Sequence, residues 1–213
     1  MFLKICGITR LSDAEHAVRY GATALGFVFW PQSPRAVSVD RAAAIVRALP
    51  EAVTKVGVFV NEELDIVRRV VEASGIGVVQ LHGDETPEYA GDLGLPVLRS
   101  VTLERFDEAR VEWPESATFL LDAADPVRRG GTGRPVDWAG AAEAARRRRV
   151  ILAGGLTPEN VADAIATVRP FGVDVSSGVE EAPGVKDVAK IARFLSSAQQ
   201  AFAAFGRQVA EQR

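Results

Sequence analysis

Residues 150–178 read VILAGGLTPENVADAIATVRPFGVDVSSG, and this stretch decides the fold. The apolar run Val150–Gly155 closes on two glycines. Thr157-Pro158 then opens a helical segment, Thr157–Val168, with a capping residue followed by proline at the first helical position. A second apolar run, Gly172–Gly178, follows. Runs that are apolar without alternation read as strands buried on both faces, the habit of parallel sheets. The stretch is a strand, a crossover helix and the next parallel strand.

Working outward, the same unit recurs along the chain. Further strand-like runs are Leu3–Gly7, Ala24–Phe29, Lys55–Val60, Val78–Gly83, Pro96–Val101 and Thr118–Asp122. Helical spacing marks Leu11–Tyr20, Val39–Leu49, Asn61–Ser74, Asp137–Arg149 and Asp187–Phe205, with weaker stretches at Glu85–Gly91 and Leu103–Ala109. Ser12 with Glu15 predicts a capping box for the first helix, and Asn61 a cap for the third. Eight strands over this length give roughly 27 residues per unit, near the ~30 of a βα repeat. An open doubly wound sheet suits fewer strands, so the expectation is an α/β fold of the (β/α)8 TIM-barrel type, one domain over residues 1–213.

Composition narrows the function classes. Lys and Arg total 25 against 28 Asp and Glu, a net charge of −3, which argues against a nucleic-acid partner. A hydrophobic content of 47% with 25% charged residues is the profile of a folded globular chain. One cysteine rules out an internal disulfide framework and fits a reducing, cytoplasmic compartment. No apolar run approaches the ~20 residues of a membrane span, and Met1–Gly7 lacks the regions of a signal peptide. Arg146–Arg149, ahead of the seventh strand, reads as a solvated patch on the face away from the chemistry.

In this barrel the chemistry sits at the C-terminal ends of the strands. Cys6 lies one residue before the glycine closing the first strand, where a base or nucleophile would act; a buried, inert thiol is the alternative. Arg35 follows a loop stiffened by Pro31 and Pro34 and would suit a ligand carboxylate, unless it is an exposed surface residue. Gln80 and His82 share a face of the fourth strand, where polar groups need hydrogen-bond partners, and are candidates to contact substrate; a satisfied structural histidine is the alternative for His82. With only His16 besides, a metal site is not supported. Asp122 closes a strongly apolar strand; burial would raise its pKa toward that of a general acid, or it serves to accept loop N–H groups. Gly154 and Gly155, then Ser176, Ser177 and Gly178, form a candidate phosphate cradle, with ligand-free tight turns as the alternative. Asp174 is grouped with the substrate-contacting residues, and the Gly130–Gly133 loop could close over a ligand.

These positions together resemble the phosphoribosylanthranilate isomerase family. The matching stretches are KICGIT (Lys4–Thr9), GFVFWPQSPR (Gly26–Arg35), VGVFV (Val56–Val60), VQLHGDE (Val79–Glu85), LLDA (Leu120–Ala123), GGTG (Gly130–Gly133), LAGGL (Leu152–Leu156), VDVSSGVE (Val173–Glu180) and PGVKD (Pro183–Asp187). The resemblance implies an Amadori rearrangement in tryptophan biosynthesis on a phosphorylated small molecule. It implies Cys6 as the general base at C2, Asp122 as the general acid at the ring oxygen, Arg35 near the anthranilate carboxylate, and the glycine and serine loops as the phosphate site. Neither proton transfer needs a metal or redox cofactor, and Cys6 would need its pKa shifted downward to serve well. Val136 replaces an aromatic associated with that segment. The tail beyond Phe205 suggests a continued helix, and the chain is expected as a monomer or homodimer.

Alternatives weighed are sister barrels with the same phosphate site, a Schiff-base aldolase using Lys4, and a non-catalytic phosphate-binding barrel. The histidine-pathway aminoaldose isomerase pairs two Asp where this chain offers Cys6.

Overall fold

Strands β1 (Phe2–Ile5), β2 (Ala24–Val28), β3 (Thr54–Phe59), β4 (Val78–Leu81), β5 (Val97–Val101), β6 (Thr118–Leu121), β7 (Val150–Leu152) and β8 (Gly172–Val175) close in chain order into one barrel. All neighbouring pairs are parallel, including β1 with β8. This computed structural model describes residues 1–122 and 137–211. The Gly130–Gly133 loop and Val136 lie outside the described residues.

Period-two alternation sorts each strand into two faces. Leu3, Ile5, Leu25, Phe27, Val79, Leu81, Phe119 and Leu121 belong to the large core shared with the helices. Ala24, Val56, Leu98, Leu120 and Ile151 form a separate cluster filling the barrel. Phe2 and Phe171 stack with ring centres 6.1 Å apart near its N-terminal end. Burial on both sides explains the unbroken apolar runs.

The helices are α1 (Leu11–Arg19), α2 (Val39–Ala48), α3 (Leu64–Ser74), α4 (Pro87–Leu93), α5 (Phe106–Glu112), α6 (Trp138–Arg147), α7 (Val161–Val168) and α8 (Val188–Glu211). Two expected caps are corrected. Helix α1 starts after Arg10, not at Ser12, and no side chain caps it. The Arg10 guanidinium instead grips Asp13 at 3.0 and 2.9 Å, and Asp13 accepts the distant Lys186 N–H. Asn61 caps nothing: α3 begins after Glu63, and Asn61 sits at φ 51° in the loop after β3. Thr157 accepts the N–H of Val161 through its carbonyl and that of Glu159 through its hydroxyl, although regular helix begins at Val161.

Helix α8 continues beyond Phe205 to Glu211, in line with the continued helix expected of the tail. Phe194 and Ala198 are fully buried, and Phe202 packs on the same core, so this face belongs to its own barrel. The arginine run is not merely solvated. Arg146 and Arg147 pair with Glu143 and Asp107, Arg148 stacks 4.7 Å from the Phe119 ring centre, and Arg149 3.5 Å from that of Phe171. A two-stranded hairpin, β9 (Glu180–Ala182) with β10 (Val185–Lys186), was not anticipated.

Candidate active site

Seven of the eight apolar runs outlast their strands by one to three residues, and those extra residues build the mouth. Cys6, His82 and Asp122 each stand one place beyond a strand. Their N–H groups still donate sideways, to the carbonyls of Val175 (2.8 Å), Phe59 (3.0 Å) and Val101 (3.1 Å). The sheet thus holds each side chain at the rim on a rigid backbone.

At the β7–β8 side, Gly154 and Gly155 take φ of 76° and 67°, the left-handed region that glycine enters without strain. Asn160 locks the turn, its Oδ1 accepting Thr157 N–H at 2.8 Å while its Nδ2 donates to the Gly155 carbonyl at 2.9 Å. A Cβ on Gly178 would strike the Leu156 carbonyl, so the two loops touch through backbone. Gly154, Gly155, Ser176, Ser177 and Gly178 line a cleft of about 320 Å³, measured with its open mouth, together with Asp122 and Asp174. Ser176 Oγ is buried and makes no hydrogen bond among the described residues. All five proposed cradle residues and two of the proposed acids therefore share one cavity.

On the β1 side, Lys4 is fully buried inside the barrel with Nζ 3.0 Å from Asp174 Oδ1. A Cβ on Gly26 would lie 2.7 Å from Cys6 Sγ and 3.1 Å from Lys4 Cε, so bare backbone in β2 makes room for both side chains. Burial pushes the Cys6 thiol up, with Asp174 adding to the rise and Lys4 and Lys186 opposing it. That is opposite to the downward shift a thiol base would need: desolvation of the thiolate outweighs the nearby ammonium groups. Burial alone would lower Lys4, yet Asp174 and Cys6 leave it raised. An amine held charged is a poor Schiff-base nucleophile, which disfavours the aldolase reading.

On the β4–β6 side, Gln80 Nε2 donates to His82 Nδ1 at 3.0 Å. The protonated Nε2 then faces Ser100 Oγ at 3.2 Å and Asp122 Oδ2 at 3.7 Å. The turn carrying His82 is clamped by Glu85. Its carboxylate accepts Asn61 N–H (2.7 Å), Gly83 N–H (2.9 Å) and Arg99 Nη1 (2.9 Å).

Arg35 reaches the mouth but turns its guanidinium toward Glu180, with Nε at 2.9 Å and Nη2 at 2.7 Å. Its bidentate fork is therefore committed within the chain and not presented whole to a ligand. Glu180 also accepts Lys186 Nζ at 2.9 Å. Sequence reasoning assigned no role to Ser100, Glu180 or Lys186. The last two lie in stretches quoted above, but spacing along the chain gives no sign that the β9–β10 hairpin folds back over the mouth. Among the described residues no group of His, Cys, Asp or Glu is placed to hold a metal, and no helix is long and apolar enough to cross a membrane.

Comparison with known proteins points to one family. Residues 3–197 fit the family model described as N-(5′-phosphoribosyl)anthranilate (PRA) isomerase. A relative from Pelobacter propionicus named N-(5′-phosphoribosyl)anthranilate isomerase is 48% identical over 201 residues, covering 93% of this chain and 95% of its own. A phosphoribosyl anthranilate isomerase solved with reduced 1-(o-carboxyphenylamino)-1-deoxyribulose 5-phosphate superposes with TM-score 0.84 at 39% identity, covering 94% of this chain and 99% of that one. Monomers of a dimeric phosphoribosylanthranilate isomerase from Thermotoga maritima give the same four values.

Proposed function

The chain belongs to the N-(5′-phosphoribosyl)anthranilate isomerase family, and from that premise we propose how its residues divide the work of the reaction. The enzyme converts the aminoaldose N-(5-phosphoribosyl)anthranilate into the aminoketose 1-(2-carboxyphenylamino)-1-deoxyribulose 5-phosphate, a step of tryptophan biosynthesis. This is an internal redox reaction in which C1 is reduced and C2 oxidised.

Asp122 donates a proton to the ribose ring oxygen, the C1–O bond breaks, and the anthranilate nitrogen forms an iminium with C1. Cys6, as thiolate, removes the C2 proton, and the electron pair of that C–H bond moves to neutralise the iminium. The resulting enolamine tautomerises to the ketone. Gly154, Gly155, Ser176, Ser177 and Gly178 hold the phosphate through backbone N–H groups and hydroxyls. Gln80 and His82 orient Asp122 and the sugar, Asp174 meets sugar hydroxyls, and Arg35 lies toward the anthranilate carboxylate. No metal or redox cofactor takes part in these steps.

The observation that carries this reading is the single cleft in which Asp122 and Asp174 meet the glycine and serine loops. A phosphate anchored there sets the sugar against an acid just past β6 and a thiol just past β1. We take residues 1–213 as one catalytic domain acting in the cytoplasm. The dimeric T. maritima relative is the reason to weigh a homodimer beside a monomer, and sedimentation decides between them.

The test is turnover of freshly made phosphoribosylanthranilate, followed by loss of its fluorescence. Positioned proton transfer contributes about 10²–10⁴-fold, so Cys6→Ala and Asp122→Asn should each lose at least that much kcat while still binding product. Near-normal turnover in either variant removes that residue from its role.

A further inference from the structure

We propose that Lys186, delivered by the β9–β10 hairpin, is the positioning residue that lets Cys6 ionise, because among the described residues it is the one cation without a carboxylate of its own in the buried charge cluster around the thiol. The proposal rests on the reading of Cys6 as the base.

The cluster contains Lys4, Arg35 and Lys186 against Asp174 and Glu180. Lys4, Lys186, Asp174 and Glu180 are all buried, and the Arg35 side chain is only 14% exposed. Lys4 is matched by Asp174 at 3.0 Å. Glu180 is shared: Arg35 takes both its oxygens, and Lys186 Nζ takes one of them again at 2.9 Å. Asp13 does not restore the balance, since it meets only the Lys186 backbone N–H and is already gripped by Arg10. Among the described residues one positive charge is left over, in a place where water cannot answer it.

Cys6 is the group positioned to answer it. Its N–H bonds the Val175 carbonyl, and the carbonyl of the next residue, Ser176, accepts Lys186 Nζ at 3.2 Å. A Cβ on the adjoining Gly7 would lie 2.7 Å from Arg35 Cδ and 3.1 Å from Ser176 Oγ, so the Cys6–Gly7 turn is wrapped by the same elements. Charged groups reach the thiol from β1 (Lys4), the loop after β2 (Arg35), β8 (Asp174) and β10 (Lys186), whereas β2 and β3 offer only Val28 and Val58, with Trp30 beside them. Ionising Cys6 makes three anions against three cations. The proton leaves to solvent, and Lys186 keeps its own.

The experiment is an ultraviolet titration of the thiolate, recorded as the difference from the Cys6→Ser variant; the chain has one cysteine, so the signal is Cys6 alone. Lys186→Met leaves Arg35 and Glu180 as a balanced pair. It should move the ionisation to higher pH and lower the neutral-pH thiolate fraction about tenfold for each pH unit moved. kcat should fall in step with little change in KM, its acid limb should move the same way, and Lys186→Arg should restore both. Glu180→Gln leaves two unmatched cations and should move the titration to lower pH, a reversal that a purely structural role would not produce. An unmoved titration in folded Lys186→Met, or shifts in the same direction for both variants, overturns the proposal. Should Lys186→Met not fold, Glu180→Gln decides alone: a downward shift sustains the proposal and any other result overturns it. Turnover retained in Cys6→Ala would sink the base assignment itself, whereas lost turnover there with an unmoved titration in Lys186→Met sinks only the part given to Lys186.

Discussion

Lys4 and Asp174 are register partners on β1 and β8, and their side chains meet inside the barrel at 3.0 Å. The pair sits at the seam where the first strand closes onto the last. One ion pair thereby joins the strand that presents Cys6 to the strand that leads into the serine loop of the cleft.

Removing one partner of that pair should be severe. Asp174→Leu strands a fully buried ammonium, and unpairing a buried ion costs about 3–5 kcal/mol. Lys4→Met with Asp174→Leu should regain most of that loss. Urea unfolding of the single and double variants measures it; equal stability of all three would show that the pair is not desolvated in solution.

Gly26→Ala should inactivate the protein without touching a charged group. The added methyl would lie 2.7 Å from Cys6 Sγ and 3.1 Å from both Cys6 Cα and Lys4 Cε. Overpacking of this kind costs about 1–3 kcal/mol. The expected result is a folded but less stable protein with kcat depressed far more than product affinity, read from steady-state kinetics and product titration.

Glu85 should matter well beyond its distance from the cleft. Its removal in Glu85→Ala leaves Arg99 unpaired at 5% exposure and deprives the Asn61 and Gly83 N–H groups of their acceptor. A loss of about 3–5 kcal/mol is expected from the buried charge alone. Since Gly83 follows His82, kcat should fall too, and a smaller fall in Glu85→Gln, which keeps an acceptor, would tie the effect to the clamp.

Stability should decline at alkaline pH through Cys6. Burial raises this thiol, so below its ordinary value of about 8.5 both folded and unfolded chains hold the proton and nothing changes. Above that value the unfolded chain ionises first, and stability is lost until pH passes the raised folded value. Activity runs the opposite way, kcat/KM climbing as the thiolate forms. Denaturant midpoints across alkaline pH should fall more steeply for the native chain than for Cys6→Ala; parallel curves would deny the raised thiol.

Much of this was legible from local pattern. The runs from Leu3 to Gly178 located all eight strands, because burial on both faces leaves an unbroken apolar signature. The ends of those runs located the mouth, since Cys6, His82 and Asp122 stand at the rim. The caps were misplaced at Ser12 and Asn61 because a capping pattern competes with partners elsewhere in the fold. Asp13 is occupied by Arg10 and Lys186, and Asn61 by Glu85 and the Asp84 N–H.

The chain's own periodicity, then, determined a ring of eight βα units and which residues would end each strand, since strand alternation and helix spacing are short-range properties. Only closure of the ring decided what those residues touch. Arg35 faces Glu180 across 145 positions of sequence, and Lys186 N–H meets Asp13 across 173. No local pattern encodes a partner that far away. It is burial, where polar and charged groups must find partners within the chain in place of water, that selects it.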